Sequence, residues 1–171
     1  MITGTITGLR AIENHDLEQL LEWRNEPKLR RYFREYRELN YEHQKKWFES
    51  INENASNNLM FSIVDLQKNL IGAAGLCSIN YKSRNAEISI YIGKDTLYID
   101  NKFAPDAIKT LVDYGFNELG LHRLWAEVYD FDEQKKNVLI SLGFTLEGTL
   151  QETYWQKGTW NHSLLFGLLE K

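Results

Sequence analysis

Three groups of residues carry side chains and spacing suited to chemistry. The first centres on Glu87, in the run 86–92 where Ile88, Ile90 and Ile92 alternate with Glu87, Ser89 and Tyr91. On a strand, that alternation puts the isoleucines on one face and the carboxylate on the other. A carboxylate so placed is suited to take a proton from an ammonium group, directly or through water. The plainer reading is a structural ion pair, with Arg84 as partner. Glu127 and Tyr129, in the next strand-like run, are weaker alternatives for the same role, against an ordinary outward strand face. The second group is Trp23-Arg24-Asn25, where Arg24 can hold a carboxylate or phosphate through two N–H groups. There the plainer reading puts Trp23 in the core and Arg24 in an ion pair between helices. The third is the stretch 102–148, in which a loop feeds an amphipathic helix, a short strand, a second helix and the turn Leu142-Gly143-Phe144. That order sets a helix N-terminus beside a strand, and its unpartnered N–H groups are a natural seat for phosphate.

Other chemistries find little support. His15, His43, His122 and His162 are scattered without metal-ligand spacing, so no metal site is expected. Cys77 is alone, which excludes a disulfide within the chain and a cysteine metal cluster; it reads as a small core residue of a strand. No Ser-His-Asp order, P-loop or dinucleotide fingerprint is present. The net charge of −4, without a basic tail, argues against nucleic acid and membrane surfaces as partners. Met1-Ile2-Thr3-Gly4 lacks the charged and apolar regions of a signal peptide. No apolar run approaches the roughly 20 residues of a membrane span. A cytoplasmic location is the expectation.

The elements that must position these groups follow from periodicity. The 171 residues fit a single domain, 1–171, with a sizeable core. Residues 5–11 read as a first strand. Asp16 is placed to cap a helix, with Gln19 as its capping-box partner, and Pro27 marks the end of that helix. Asn40 is placed to cap a second helix whose apolar stripe is Trp47, Phe48 and Ile51. Residues 52–58, rich in Asn and Ser, read as a loop. Strands follow at 59–65 and 70–79, joined by the hairpin turn Gln67-Lys68-Asn69, and at 86–92. After Pro105, Ile108, Leu111, Val112, Gly115, Phe116 and Leu119 recur at helical spacing, and Gly120 can end that helix in a left-handed conformation. A strand at 122–129, a helix at 133–142, and a closing hairpin of 144–152 with 160–169 through Lys157-Gly158 complete the chain. A mixed sheet with helices on both faces is the natural packing of such an order.

That order, with Gly143-Phe144 and Glu147-Gly148 in place, resembles the GCN5-related N-acetyltransferase (GNAT) fold, an α/β (α+β) architecture with a mixed, mostly antiparallel sheet. Leu9-Arg10, Asp16, Trp23-Arg24-Asn25 and Leu119-Gly120-Leu121-His122-Arg123 resemble the branch that acetylates ribosomal-protein N-termini, polyamines and aminosugar nucleotides. Trp23-Arg24-Asn25 with His43 leans to the aminosugar members. Asn69-Leu70-Ile71-Gly72 and Ile79-Asn80-Tyr81 also look like polyamine members. The sequence departs from the family pattern at the loop before the third helix, where Asp100 and Lys102 replace two glycines. It departs again at Asp132 and Lys135, where Asn and Ser are usual, and at Leu139, where many relatives carry a tyrosine that protonates the leaving thiolate.

The resemblance implies acetyl transfer from acetyl-CoA, as cosubstrate, to a primary amine within a ternary complex. It implies Glu87 as the base and the amides around Ile90, Tyr91 and Ile92 as donors to the thioester carbonyl. Lys102, Phe103, Ala104 and Lys135 are the expected cofactor contacts, and Trp23, Arg24 and Asn25 the expected acceptor contacts. The acceptor ranked first is an aminosugar nucleotide, followed by a protein N-terminus or a polyamine; a homodimer is a family-level expectation. The alternative of another class is a non-catalytic binding module with a degenerate cofactor loop.

Overall fold

The computed structural model describes residues 1–53 and 56–171, which fold into strands and helices. They are β1 (Ile2–Thr3), β2 (Thr7–Ala11), α1 (Leu17–Asn25), α2 (Pro27–Arg30), α3 (Tyr41–Ile51), β3 (Leu59–Asp65), β4 (Leu70–Asn80) and β5 (Asn85–Ile92). Then come α4 (Phe103–Asp113), β6 (Arg123–Tyr129), α5 (Glu133–Ser141), β7 (Thr145–Gln156) and β8 (Thr159–Leu169). The strands form one sheet in the order β1-β2-β3-β4-β5-β6-β8-β7. β5 and β6 are its parallel pair; the other neighbours are antiparallel.

The two faces of the sheet bury different helices. Ile88, Ile90 and Ile92 of β5 pack with Ile108 and Leu111 of α4 and with Val138 and Leu139 of α5. On the other face, Tyr91 of β5 and Ala73 of β4 pack with Leu17 and Leu20 of α1, with Trp47 and Phe48 of α3 set against them. The alternation read along residues 86–92 is therefore what separates the two cores. The α4 terminus is tied to the chain start by Asp106. Its carboxylate accepts from the Thr5, Ile6 and Thr7 N–H groups at 2.9–3.0 Å and from Thr7 Oγ1 at 2.7 Å.

Several turn residues act as expected. Asn40 accepts from the His43 N–H at 3.0 Å and caps α3. Gly120 ends the helical segment at φ +64°, after a wide π turn at residues 114–118. Lys157 and Gly158 both have positive φ, as a two-residue turn between twisted strands requires. Of the loop read at 52–58, residues 54 and 55 lie outside the described residues.

The structure also departs from expectation. β1 and α2 are additions; two-residue and four-residue elements are too short to show a period. Asp16 does not cap α1 with Gln19, whose amide instead donates to Glu22 at 2.9 Å. Asp16 is buried, and its carboxylate accepts from Arg10 Nη1 and Nη2 at 2.6 and 2.8 Å, from Glu13 N–H at 2.9 Å and from Ser62 Oγ at 2.9 Å. Burial works to raise its pKa, but the bonds from Arg10, Glu13 and Ser62 prevail and bring it to about 2.

Because the folded pKa lies below the unfolded one, the stability Asp16 contributes is complete above the ordinary carboxylate range and is lost as pH falls through about 2. Asp16→Asn should lower stability near pH 7 by about 2 kcal/mol, or roughly 4–8 °C in Tm. Thermal melts across pH should show the gap between the two proteins narrowing from about pH 4 downward; a constant gap would remove the ion pair as its cause.

Candidate active site

The sheet opens where β5 meets β6. The two strands pair only at Asn85–Arg123, Ala86–Leu124 and Glu87–Trp125, yet β5 continues to Ile92 and β6 to Tyr129. A cavity of about 340 Å³ lies at this fork, lined by residues 88–91 on one side and 127–129 on the other. Gly93 N–H donates to Ile71 C=O of β4 at 2.9 Å. By alternation, the amides of Ser89 and Tyr91 also turn to β4, and those of Ile88, Ile90 and Ile92 turn to the fork. The Ile92 amide is taken by Tyr98 C=O at 2.8 Å. Of the three expected donors, only the Ile90 N–H faces the cavity with no strand opposite it among the described residues.

Glu87 projects into this cavity and is 8% exposed. Its partner is not Arg84, which donates from Nε to Gly120 C=O at 2.6 Å and reaches Glu170 at 3.7 Å. Instead Arg34, from the irregular segment between α2 and α3, bonds both Glu87 oxygens, with Nη1 at 3.1 Å from Oε2. Its Nη2 also donates to Glu127 Oε2 at 2.9 Å. Glu35 and Asp132 line the same space. Cys77, opposite Glu87 in the sheet, lines it too rather than lying sealed in the core; burial and the Glu87 charge push its thiol up to about 11, so it is no nucleophile.

Lys135 reaches the cavity from the first turn of α5. Its ammonium is buried and meets Tyr98 Oη at a long 3.4 Å. Burial lowers its pKa, against the pull of Asp132. Burial raises the pKa of Asp132, whose carboxylate caps α5 by accepting from Lys135 N–H at 3.1 Å. The Tyr98 ring stacks on Tyr32 with centroids 4.3 Å apart. Tyr32, Tyr98 and Asp132 also line a second cavity of about 270 Å³, with Lys28, Arg31 and Gln134 on its far side. They are the wall between the two spaces.

The phosphate seat expected at the start of α4 is filled by the chain itself. Asp100 accepts from the Phe103 N–H at 2.9 and 3.1 Å and from the Ala104 N–H at 2.7 Å. Lys102 lies outside the fork, its ammonium 4.7 Å from the centre of the Phe103 ring. Among the expected acceptor contacts, Arg24 lines the cavity, with its guanidinium 5.0 Å from the Phe33 ring and its Nε buried without a partner among the described residues. Trp23 does not line it. The indole packs edge-on to Tyr91 and fills the space that a side chain at Gly93 would need. Asn25 is also structural, bonding the Leu39 N–H and C=O at 2.8 and 2.7 Å.

Glu87, Ile90, Tyr91, Lys135 and Arg24 are thus brought together, and Trp23, Asn25, Ile92, Lys102, Phe103 and Ala104 are not. Arg34 and Tyr98 join the site without a sequence expectation. Only Asp100 carried a readable signal, an aspartate three residues before a helix.

A family model described as "Acetyltransferase (GNAT) domain" matches residues 9–165. The spermidine N(1)-acetyltransferase of Vibrio cholerae is 32% identical over 151 residues, covering 88% of this chain and 85% of that protein. An uncharacterized N-acetyltransferase of Bacillus subtilis, YoaA, is 38% identical over 92 residues, 54% of this chain and 51% of that one. A crystal structure of the Vibrio cholerae spermidine N-acetyltransferase in complex with CoA and spermine superposes with a TM-score of 0.88, at 27% identity and 96% coverage of both chains.

The fork fits the acyl end of acetyl-CoA, since it offers room and the Ile90 N–H. The phosphate end fits only when Asp100 turns away, because its carboxylate holds the amides a pyrophosphate would use. Asp100→Gly should therefore tighten CoA binding about three- to tenfold, or about 0.7–1.4 kcal/mol, and Asp100→Asn should do so by less. Isothermal titration against CoA and against pantetheine, which has no pyrophosphate, separates the effects. Pantetheine affinity should stay constant; an unchanged affinity for CoA would show that this helix end takes no phosphate.

Proposed function

The chain belongs to the GNAT acetyltransferase family, and from that premise we propose that its acceptor is a polyamine-type cation acetylated at a primary amine. The protein is an N-acetyltransferase with acetyl-CoA as cosubstrate. Named N-acetyltransferases among its relatives set aside the reading as a non-catalytic module. The observation that carries the acceptor is the pair Glu87 and Glu127, which already hold a cationic group at the fork. Spermidine is the acceptor of two of its relatives by name, in Vibrio cholerae and in Escherichia coli. An aminosugar nucleotide offers at most one ammonium group to Glu87 and Glu127, and its phosphates would meet Glu35 and Asp132 as well as Arg24 and Lys135, so it ranks behind a polyamine.

The residues take roles that follow from their placement. When bound, acetyl-CoA supplies an activated acetyl thioester. A primary alkylamine has a pKa of about 10.4, so it arrives charged and must lose a proton before it can attack. Glu87 is the base that accepts that proton. The Ile90 N–H, fixed by the sheet, donates to the oxygen on which negative charge develops. Leu139 is wholly buried in the core and has no proton to give. Lys135 lies four residues earlier on the same helix face and holds protons at Nζ in the cavity. Its lowered pKa makes it a readier proton donor than an ordinary lysine.

Release of free thiol, followed across spermidine, spermine, a monoamine and an aminosugar nucleotide, tests the acceptor. Turnover should favour the polyamines; turnover of the aminosugar nucleotide alone would overturn the reading. Glu87→Gln should lower kcat/KM near neutral pH by about 10²- to 10⁴-fold with CoA affinity unchanged. A variant with undiminished turnover would remove Glu87 as the base.

A further inference from the structure

We propose that Glu87 and Glu127 form a two-carboxylate cation subsite that Arg34 occupies in the resting protein, and that an acceptor with two positive charges takes the subsite by displacing Arg34. This rests on the reading of the protein as an amine acetyltransferase. Glu87 lies opposite Trp125 in the parallel register, and Glu127 is two residues beyond Trp125. Both carboxylates therefore project from the same face of the sheet, into the cavity. The guanidinium bridges them, with Nη1 3.1 Å from Glu87 Oε2 and Nη2 2.9 Å from Glu127 Oε2.

Exposure shows which partner is able to leave. The Glu87 and Glu127 side chains are 10% and 24% exposed and fixed on strands, whereas Arg34 is 56% exposed on a segment with neither helix nor strand. Nearby charges do not compete for Arg34. Glu35 is bonded to Arg37 at 2.7 Å, and Asp132 caps α5. Position gives the reason for Arg34 to leave. Its guanidinium accompanies both Glu87 oxygens and stands where an amine must come to hand over its proton.

The exchange also selects the acceptor. Removing Arg34 without replacement would strand a buried carboxylate, which is strongly unfavourable. An acceptor with two ammonium groups restores both pairings, the reacting amine at Glu87 and the second charge at Glu127. A monoamine restores one, and a neutral or anionic acceptor restores none. Arg34 is thus a specificity-determining residue that acts as an internal competitor.

Arg34→Ala, checked for folding by circular dichroism, should bind spermidine about tenfold more tightly than the parent in isothermal titration without acetyl-CoA. Millimolar methylguanidinium chloride should raise the melting temperature of this variant and not that of the parent. In the otherwise intact chain, Glu127→Gln should weaken spermidine binding several-fold more than propylamine binding. Unchanged or weaker spermidine binding by Arg34→Ala, together with no response to methylguanidinium, would overturn the proposal. If Arg34→Ala does not fold, equal losses for both amines in Glu127→Gln would overturn it. A response to methylguanidinium without spermidine binding would uphold the cation subsite and overturn only the polyamine acceptor.

Discussion

A strand edge inside a protein cannot be left without partners, and the parting of β5 from β6 creates such an edge in the middle of the sheet. Each main-chain N–H and C=O there must find a bond or lie open to a ligand. The fold answers at the far end, where Ile92 N–H is taken by Tyr98 C=O. It leaves the edge open around Ile90, between two strands held rigid by β4 and β8. The catalytic opening is thus the residue of an unfinished ladder. The donor it leaves open, the Ile90 N–H, is main chain, and a main-chain donor does not depend on the side chains that depart from the family pattern.

The same opening concentrates charge. Glu87, Glu127, Glu35 and Asp132 share one cavity with Arg24, Arg34 and Lys135. In a partly dry space such charges persist only if paired or shifted toward neutrality. Glu87 and Glu127 are paired through Arg34. Lys135 and Asp132 show the other outcome, each displaced by burial toward its uncharged form. A cavity balanced in this way admits a cation by exchange more readily than by addition.

What was legible in the sequence is what is local. Period-two alternation located β5 and its two faces, and helical spacing after Pro105 located α4. Turn chemistry at Asn40, Gly120 and Lys157-Gly158 was also readable, because each acts on its own backbone. What was not legible depends on contacts far along the chain. Arg34 meets Glu87 across 53 residues and Glu127 across 93, from a segment with no period to read. That Trp23 and Asn25 do not line the cavity was hidden for the same reason. A helix has several faces, and only the tertiary position of Gly93 and Leu39 shows that theirs turn away from the cavity. Asp16 looked like a helix cap because its long-range partner, Ser62, is invisible to a local motif.

The departures from the family pattern at Asp100 and Lys135 are connected rather than independent. Asp100 satisfies the amides at the start of α4, which lets the preceding turn close without a ligand. That turn carries Tyr98 inward, where its carbonyl takes the Ile92 N–H and its ring stacks on Tyr32. The Lys135 ammonium then finds its hydrogen-bond partner in the Tyr98 hydroxyl. Each contact stabilises the next, so the loop behaves as a latch with several bonds rather than one.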